Sequence, residues 1–110
     1  MLIGNNVFEE FKGAFTENFV LQQMMCLPHT YVYYYSNESS SLEIDFVVQH
    51  EAEVVPVEVK AEENLRAKSL RQFVGSNPGL SGIRFSMSPY REQDWMTNVP
   101  LYAVKQAFGN

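Results

Sequence analysis

Two acidic residues and a lysine lie in neighbouring stretches whose apolar and polar residues alternate, as they do in β-strands. Asp45 belongs to the stretch 42–48, and Glu58 and Lys60 belong to the stretch 54–60. Because side chains two positions apart in a strand point to the same face, Glu58 and Lys60 share one face of their strand. Whether Asp45 shares this face depends on how the two stretches pair.

A hairpin that turns at Glu51 and Ala52 would place Asp45 directly opposite Glu58, with their Cβ atoms about 4.5–5.5 Å apart. Two facing carboxylates repel each other, and Lys60 compensates this repulsion only in part. A divalent cation such as Mg²⁺ or Mn²⁺ would compensate it more fully, because hard cations prefer carboxylate oxygens. Such a cation could activate a water, while the lysine steadies negative charge on a phosphate.

Three observations keep other interpretations open. An acid–acid–lysine face can also be an ordinary solvent-exposed hairpin face with a salt bridge. Glu51-Ala52 differs from the Asn-Gly or Asp-Gly sequences typical of tight hairpin turns. Pro56 has no N–H and could mark a bulge that shifts the register.

A predicted helix over residues 5–25 contributes one more acid. Its apolar stripe recurs every three or four positions, at Phe8, Phe11, Phe15 and Phe19. Glu17 lies instead in line with Gly13 and Leu21, which predicts that it points inward. An inward glutamate needs a cation or a hydrogen-bond donor, so Glu17 either completes an acidic cluster or is held by backbone or by Lys60. Gly13 is expected where another backbone comes close.

The rest of the chain supplies the elements that would position these residues. The predicted order is helix, three strands, helix and two strands: 5–25, then 31–35, 42–48 and 54–60, then 64–74, then 83–87 and 99–104. A polar loop is expected over residues 88–98. This order predicts an α/β fold, a mixed sheet flanked by helices, in a single domain over residues 1–110.

Composition narrows the possible partners. The chain has 110 residues, 45% of them hydrophobic, which suffices for one core. The lone Cys26 and the lack of a membrane-spanning or signal segment predict a cytoplasmic protein with no membrane partner. The net charge of −5 predicts that any binding to nucleic acid needs a metal, a local basic patch or a partner chain.

Four ordered segments resemble a known family: residues 13–20, 43–47, 56–61 and 67–70. They are similar to the C-terminal domain of a prokaryotic ATP-binding (AAA-type ATPase) protein family, an uncharacterised domain regarded as a relative of the PD-(D/E)XK nucleases. The resemblance extends over about residues 11–102. The chain has no G-x-x-x-x-G-K-[ST] phosphate loop, so it is not the ATPase part, and it looks like a fragment or remnant of a longer protein.

The resemblance implies a restriction-endonuclease-like core. Asp45, Glu58 and Lys60 match the motif residues, and Glu17 matches the helix glutamate. Asp45, Glu58 and the Val59 carbonyl would hold Mg²⁺ or Mn²⁺. The implied function is hydrolysis of nucleic-acid phosphodiesters, a metal-dependent deoxyribonuclease that acts on DNA. The alternative is a catalytically retired nuclease fold, which serves as a binding or regulatory module for an ATPase domain in the same or another chain, or for a second copy of itself as a homo-oligomer.

Overall fold

A computed structural model describes the backbone of residues 2–34, 44–61 and 68–109, and the side chains of residues 12–34, 44–61 and 70–109. The elements in these ranges are α1 (Leu2–Met25), β1 (Thr30–Tyr34), β2 (Phe46–His50), β3 (Glu53–Lys60), α2 (Lys68–Ser76), β4 (Gly82–Ser86), β5 (Arg91–Glu92), β6 (Met96–Pro100), a 3-10 turn (Leu101–Ala103) and α3 (Val104–Ala107).

The strands of these ranges form one mixed six-stranded sheet in the order β1-β2-β3-β4-β6-β5. The first three strands pair antiparallel, whereas β3, β4 and β6 run parallel to one another. The short strand β5 pairs antiparallel with β6 at the far edge. The predicted class, an α/β fold with a mixed sheet, is therefore confirmed.

The hairpin β2–β3 has the register that its alternation predicts. His50 pairs with Glu53 and the pairing continues without interruption to Phe46 and Val57. The turn is accommodated by Glu51, whose φ of 55° lies in the left-handed region that two-residue hairpins use. The tight turn is thus built without the glycine that usually marks it.

Pro56 causes no bulge, and the expectation that it could disturb the register is wrong. It pairs with Val47 in the unbroken ladder of β2 and β3. Counting alternately from the turn, this is a non-hydrogen-bonded pair, so the Pro56 nitrogen faces the β4 side. Pairing with β4 begins only at Val57, so the missing N–H removes no ladder bond.

The two faces of the sheet bury different side chains. The larger core lies between the sheet and helices α1 and α3, and its buried members are Val20, Met24, Leu27, Phe46, Val48, Val57, Phe85, Val99, Val104 and Phe108. Helix α2 covers the opposite face, where Leu70 and Val74 pack with Met96 and the half-buried Trp95. Gly82 permits this approach, because a Cβ there would lie 2.9 Å from Leu70 Cδ1.

Several predicted boundaries require correction. A strand was expected over residues 99–104. Strand β6 instead ends at Pro100, and the chain continues as the 3-10 turn and α3. Val104 and Phe108, four positions apart, bury their side chains in the core, which is a helical spacing. The expected loop 88–98 contains β5 and the start of β6.

The first half of the chain also differs in detail from the prediction. Strand β2 begins at Phe46 rather than at residue 42; Ile44 and Asp45 precede it, and residues 42–43 lie outside the described ranges. Helix α2 is described from Lys68, so the predicted start at residue 64 lies outside them too. Gly13 is not at a close approach, since a Cβ built there would meet no described atom within 4 Å.

Candidate functional site

Asp45 lies directly before β2, at the open end of the hairpin. The Val59 backbone N–H donates a hydrogen bond of 2.7 Å to Asp45 Oδ2. In a continuing ladder this N–H would pair with the backbone of the neighbouring strand, but backbone pairing stops at Phe46 and Val57. The Asp45 carboxylate therefore occupies the next position of the ladder and is held against β3.

Glu58 is the most deeply buried acid of the described residues, with only 3% of its surface exposed. Its Oε1 lies 3.5 Å from Lys60 Nζ, whereas its buried Oε2 has no hydrogen-bond partner. A carboxylate oxygen that is removed from water without a partner is costly, by about 1–3 kcal/mol or more. The site thus contains a buried acceptor that nothing in the described chain satisfies.

The hydrogen bond from the Val59 N–H places the Asp45 carboxylate beside Glu58, the residue that precedes Val59. Burial raises the pKa of the Glu58 carboxyl most strongly, the Lys60 ammonium lowers it, and the Asp45 carboxylate raises it again. The net result is a pKa above the ordinary glutamate value. Asp45 and Glu58 therefore interact electrostatically, but Asp45 stands outside the strand and is not the ladder partner of Glu58 that the sequence predicted.

Glu17 projects from α1 toward the same end of the sheet. It is half-buried beside a small cavity of about 160 Å³ that Tyr34 and Phe46 also line. Burial raises the pKa of the Glu17 carboxyl, and the Asp45 carboxylate raises it further. The Asp45 carboxylate thus raises the pKa of both Glu17 and Glu58.

The described residues contain no group of three or more His, Cys, Asp or Glu side chains arranged to hold a metal ion. Asp45 and Glu58 could supply two ligands, and the predicted Val59 carbonyl would have to be a third. Val59 joins the site through its N–H, on Asp45. Its side chain packs against the larger core, and the role of its carbonyl stays a prediction.

A polar row continues from Glu58 across the sheet, and it was not predicted from the sequence. Glu58 on β3 is the register partner of Arg84 on β4, and Arg84 is the partner of Asn98 on β6. Both newly found residues are buried. A signal was available, because Arg84 and Ser86 alternate with Ile83 and Phe85 as polar and apolar residues do in a strand.

The fold and the site define a mixed α/β domain with acids and a lysine gathered at one end of its sheet. Residues 12–104 match the family described as a domain of unknown function (DUF4143), and the chain belongs to that family. No curated protein and no solved structure matches the chain. Within the described ranges, no helix combines the length and apolar character that crossing a bilayer requires.

Proposed function

We propose that this domain is a divalent-cation-dependent phosphodiesterase of the nuclease type, in which Asp45 and Glu58 bind the cation. The observation that carries the proposal is the buried Glu58 Oε2, which has no hydrogen-bond partner and lies beside a second carboxylate. Protonation would relieve the repulsion, but a hard divalent cation would satisfy both carboxylates at once. The donor set therefore fits Mg²⁺ or Mn²⁺.

Each residue of the site has a separate role in the proposal. The Val59 N–H fixes the orientation of the Asp45 carboxylate, and the Val59 carbonyl is the further ligand. A bound cation would lower the pKa of a water and offset charge on a phosphate. Lys60, whose side chain is 32% exposed, would turn its ammonium from Glu58 toward the negative charge that develops on the phosphate. Glu17 adds negative charge at the border of the site.

The sheet supports a restriction-endonuclease-like core as part of this proposal. An antiparallel hairpin carries the acids, its last strand pairs parallel with β4, and helices lie on both faces. The acids and the lysine sit at the carboxyl end of β3, the end where open α/β sheets place their ligands. We extend the proposal to DNA as substrate and to an ATPase domain as partner on the resemblance alone.

A binding module is the second candidate, and exposed aromatic side chains favour it. Tyr34 is 72% exposed and Phe15 is 66% exposed, on the strand and helix that border the acidic end. Tyr31 and Tyr33 on the edge strand β1 are exposed as well. Exposed aromatic side chains are frequent at protein interfaces, where an ATPase domain or a second copy of the chain could bind.

Titration with Mn²⁺ tests the cation site. Asp45→Asn keeps an oxygen that can accept the Val59 N–H but removes the charge, and Glu58→Gln removes the other charge. We expect Mn²⁺ to raise the melting temperature of the wild type, because a ligand that binds only the folded state stabilises it. Both variants should lose this shift, whereas Glu53→Gln, an exposed glutamate at the turn end of the same strand, should keep it.

Cleavage of single- and double-stranded DNA with Mn²⁺ then separates the two candidates. We expect cleavage by the wild type and by Lys105→Ala, an exposed lysine on α3, and none by Lys60→Ala. Mn²⁺ binding without cleavage would favour the binding module. A wild type that shows no Mn²⁺-dependent stabilisation, or cleavage that survives in Lys60→Ala, would contradict the proposed site.

A further inference from the structure

Two arginines flank a buried asparagine on three adjacent strands. Arg84 on β4 is the register partner of Asn98 on β6, and Asn98 is the register partner of Arg91 on β5. Register partners on neighbouring strands lie about 4.8 Å apart and point to the same face of the sheet. The topology therefore aims both arginine side chains to the face of the sheet on which the Asn98 side chain lies.

A cavity of about 330 Å³ opens at this place, and it is lined by Arg84, Ser88, Pro89, Tyr90, Arg91 and Asn98. Its volume is within the range of pockets that bind small ligands, roughly 300–1,000 Å³. The lining residues come from the end of β4, the following turn, β5 and β6. No residue of the acid–lysine site lines it, so it is a separate cavity.

Hydrogen bonds hold the wall of this cavity in a fixed shape. Asn98 Oδ1 accepts bonds from Arg84 Nε at 2.9 Å and from Ser86 Oγ at 2.7 Å. Asn98 Nδ2 donates to the carbonyl oxygens of Ser88 and Pro89, at 3.1 and 2.9 Å. The first bond fixes the plane of the Arg84 guanidinium, and the last two turn backbone carbonyl oxygens toward Asn98.

We propose that this cavity binds a phosphate group between Arg84 and Arg91. Guanidinium groups bind phosphate through paired N–H donors, and a wall fixed in advance reduces the ordering that binding requires. Arg84 is only 6% exposed, so its interaction with an anion would be screened less than that of a surface charge. In a chain of net charge −5, two arginines that line one cavity form a local positive site.

The surroundings agree with an anionic ligand. Burial lowers the pKa of Arg84 most strongly, Glu58 on the neighbouring strand raises it, and the positive charge of Arg91 lowers it further. A phosphate between the two arginines would offset their mutual repulsion. Glu92 follows Arg91 in β5 and points to the other side of the strand, where it accepts a hydrogen bond from Tyr90 Oη.

The site goes beyond the proposed function, and it does not depend on a cation at Asp45 and Glu58. The two sites nevertheless occupy the same face of the sheet, because Glu58 and Arg84 are register partners. A phosphate held here would lie on the same face as the acid–lysine site.

Calorimetric titration with inorganic phosphate at low ionic strength tests the proposal. We expect the wild type to bind phosphate and Arg91→Ala to bind at least tenfold more weakly. Arg91 is exposed, so its removal should leave the fold intact. Lys105→Ala removes an equal charge from α3, which packs on the opposite face of the sheet, and should bind as the wild type does. Arg84→Lys keeps the charge without the planar fork and should also bind more weakly.

Two further probes identify the source of the phosphate. Binding of a nucleoside monophosphate, but not of a single-stranded oligonucleotide without terminal phosphates, identifies a phosphate monoester. Oligonucleotide binding that Arg91→Ala weakens identifies a nucleic-acid backbone. Asp45→Asn should leave phosphate binding unchanged, which separates this site from the cation site. Equal binding by Arg91→Ala and Lys105→Ala, or no binding of any of the three probes, would overturn the proposal.

Discussion

The Val59 N–H and the Asp45 carboxylate form a 2.7 Å hydrogen bond that replaces the next backbone bond of the β2–β3 ladder. The residue proposed to bind a cation therefore also holds the end of the β2–β3 ladder through its side chain. An alanine substitution would remove the charge and the hydrogen bond together. Experiments at this position need a variant that separates the two effects.

Asp45→Ala should destabilise the fold by about 1–3 kcal/mol, because it leaves the Val59 N–H without its partner. Asp45→Asn should cost less, since its amide oxygen can accept the same bond. The free energy of unfolding from urea denaturation, with no divalent cation present, measures both. Equal losses in the two variants would mean that the hydrogen bond contributes nothing measurable.

The raised pKa of Glu58 predicts a specific pH dependence. A glutamate whose pKa is higher in the folded state binds more protons there than in the unfolded state. Its stabilising contribution is complete below the unfolded value of 4.5 and is lost as pH rises through the folded value. Relative to Glu58→Gln, the wild type should therefore lose stability as the pH rises from 4.5 through the folded value.

Urea denaturation of both proteins over a pH series gives this difference. Glu17, whose pKa is also raised, should give a smaller trend of the same sign because it is more exposed. Saturating Mn²⁺ should remove most of the Glu58 trend, because the cation favours the ionised carboxylate. A difference between wild type and Glu58→Gln that stays constant with pH would refute the assigned shift.

Gly82→Ala should destabilise the fold by about 1–3 kcal/mol, since the added Cβ would lie 2.9 Å from Leu70 Cδ1 and 3.0 Å from Leu70 Cγ. Leu70 is fully buried and has little room to move. Gly75→Ala, on the exposed side of α2, is the matched control and should stabilise by about 0.5–1 kcal/mol.

The Leu70→Ala background isolates the contact. There, Gly82→Ala should cost less than in the wild type, and the difference is the coupling energy between the two positions. If Gly82→Ala costs the same in both backgrounds, the helix–strand contact is not what excludes a larger residue.

Asn98→Ala should cost about 1.5–3 kcal/mol of stability, because it leaves the charged Arg84 Nε and the Ser86 hydroxyl without a shared acceptor. Thr97→Ala alters the adjacent residue on the opposite face and serves as the control. Denaturation measures the cost, and phosphate titration of the same proteins should show weaker binding only for Asn98→Ala. Unchanged stability in that variant would contradict the structural role of the asparagine.

The hairpin could be predicted from the sequence because the alternation of apolar and polar residues controls its register. A slip of one residue in β2 would have exposed Phe46 and Val48, so the alternation fixes the register. The same alternation predicted that Asp45 lies close to Glu58. It did not predict that Asp45 would leave the strand, since the choice between a backbone and a side-chain acceptor for Val59 depends on the geometry at the strand end.

The second half of the chain was harder to predict, because its strands are paired by distant residues. The strand β5 has two residues and exists only because β6 lies beside it. Helix α3 was mistaken for the end of a strand, since four residues give too little periodicity to distinguish the two. The cavity between Arg84 and Arg91 depends on β5, which supplies Arg91, and for this reason it could not be predicted from the sequence.

Strand β3 pairs antiparallel with β2 and parallel with β4, which has a consequence for the order of folding. The β2–β3 hairpin closes through a two-residue turn, so it can form early from neighbouring residues. The β3–β4 pairing needs the crossover through α2, and such long loops close more slowly. A nascent chain would thus assemble its acidic pair first and acquire the arginine-lined cavity only once the last strands have docked.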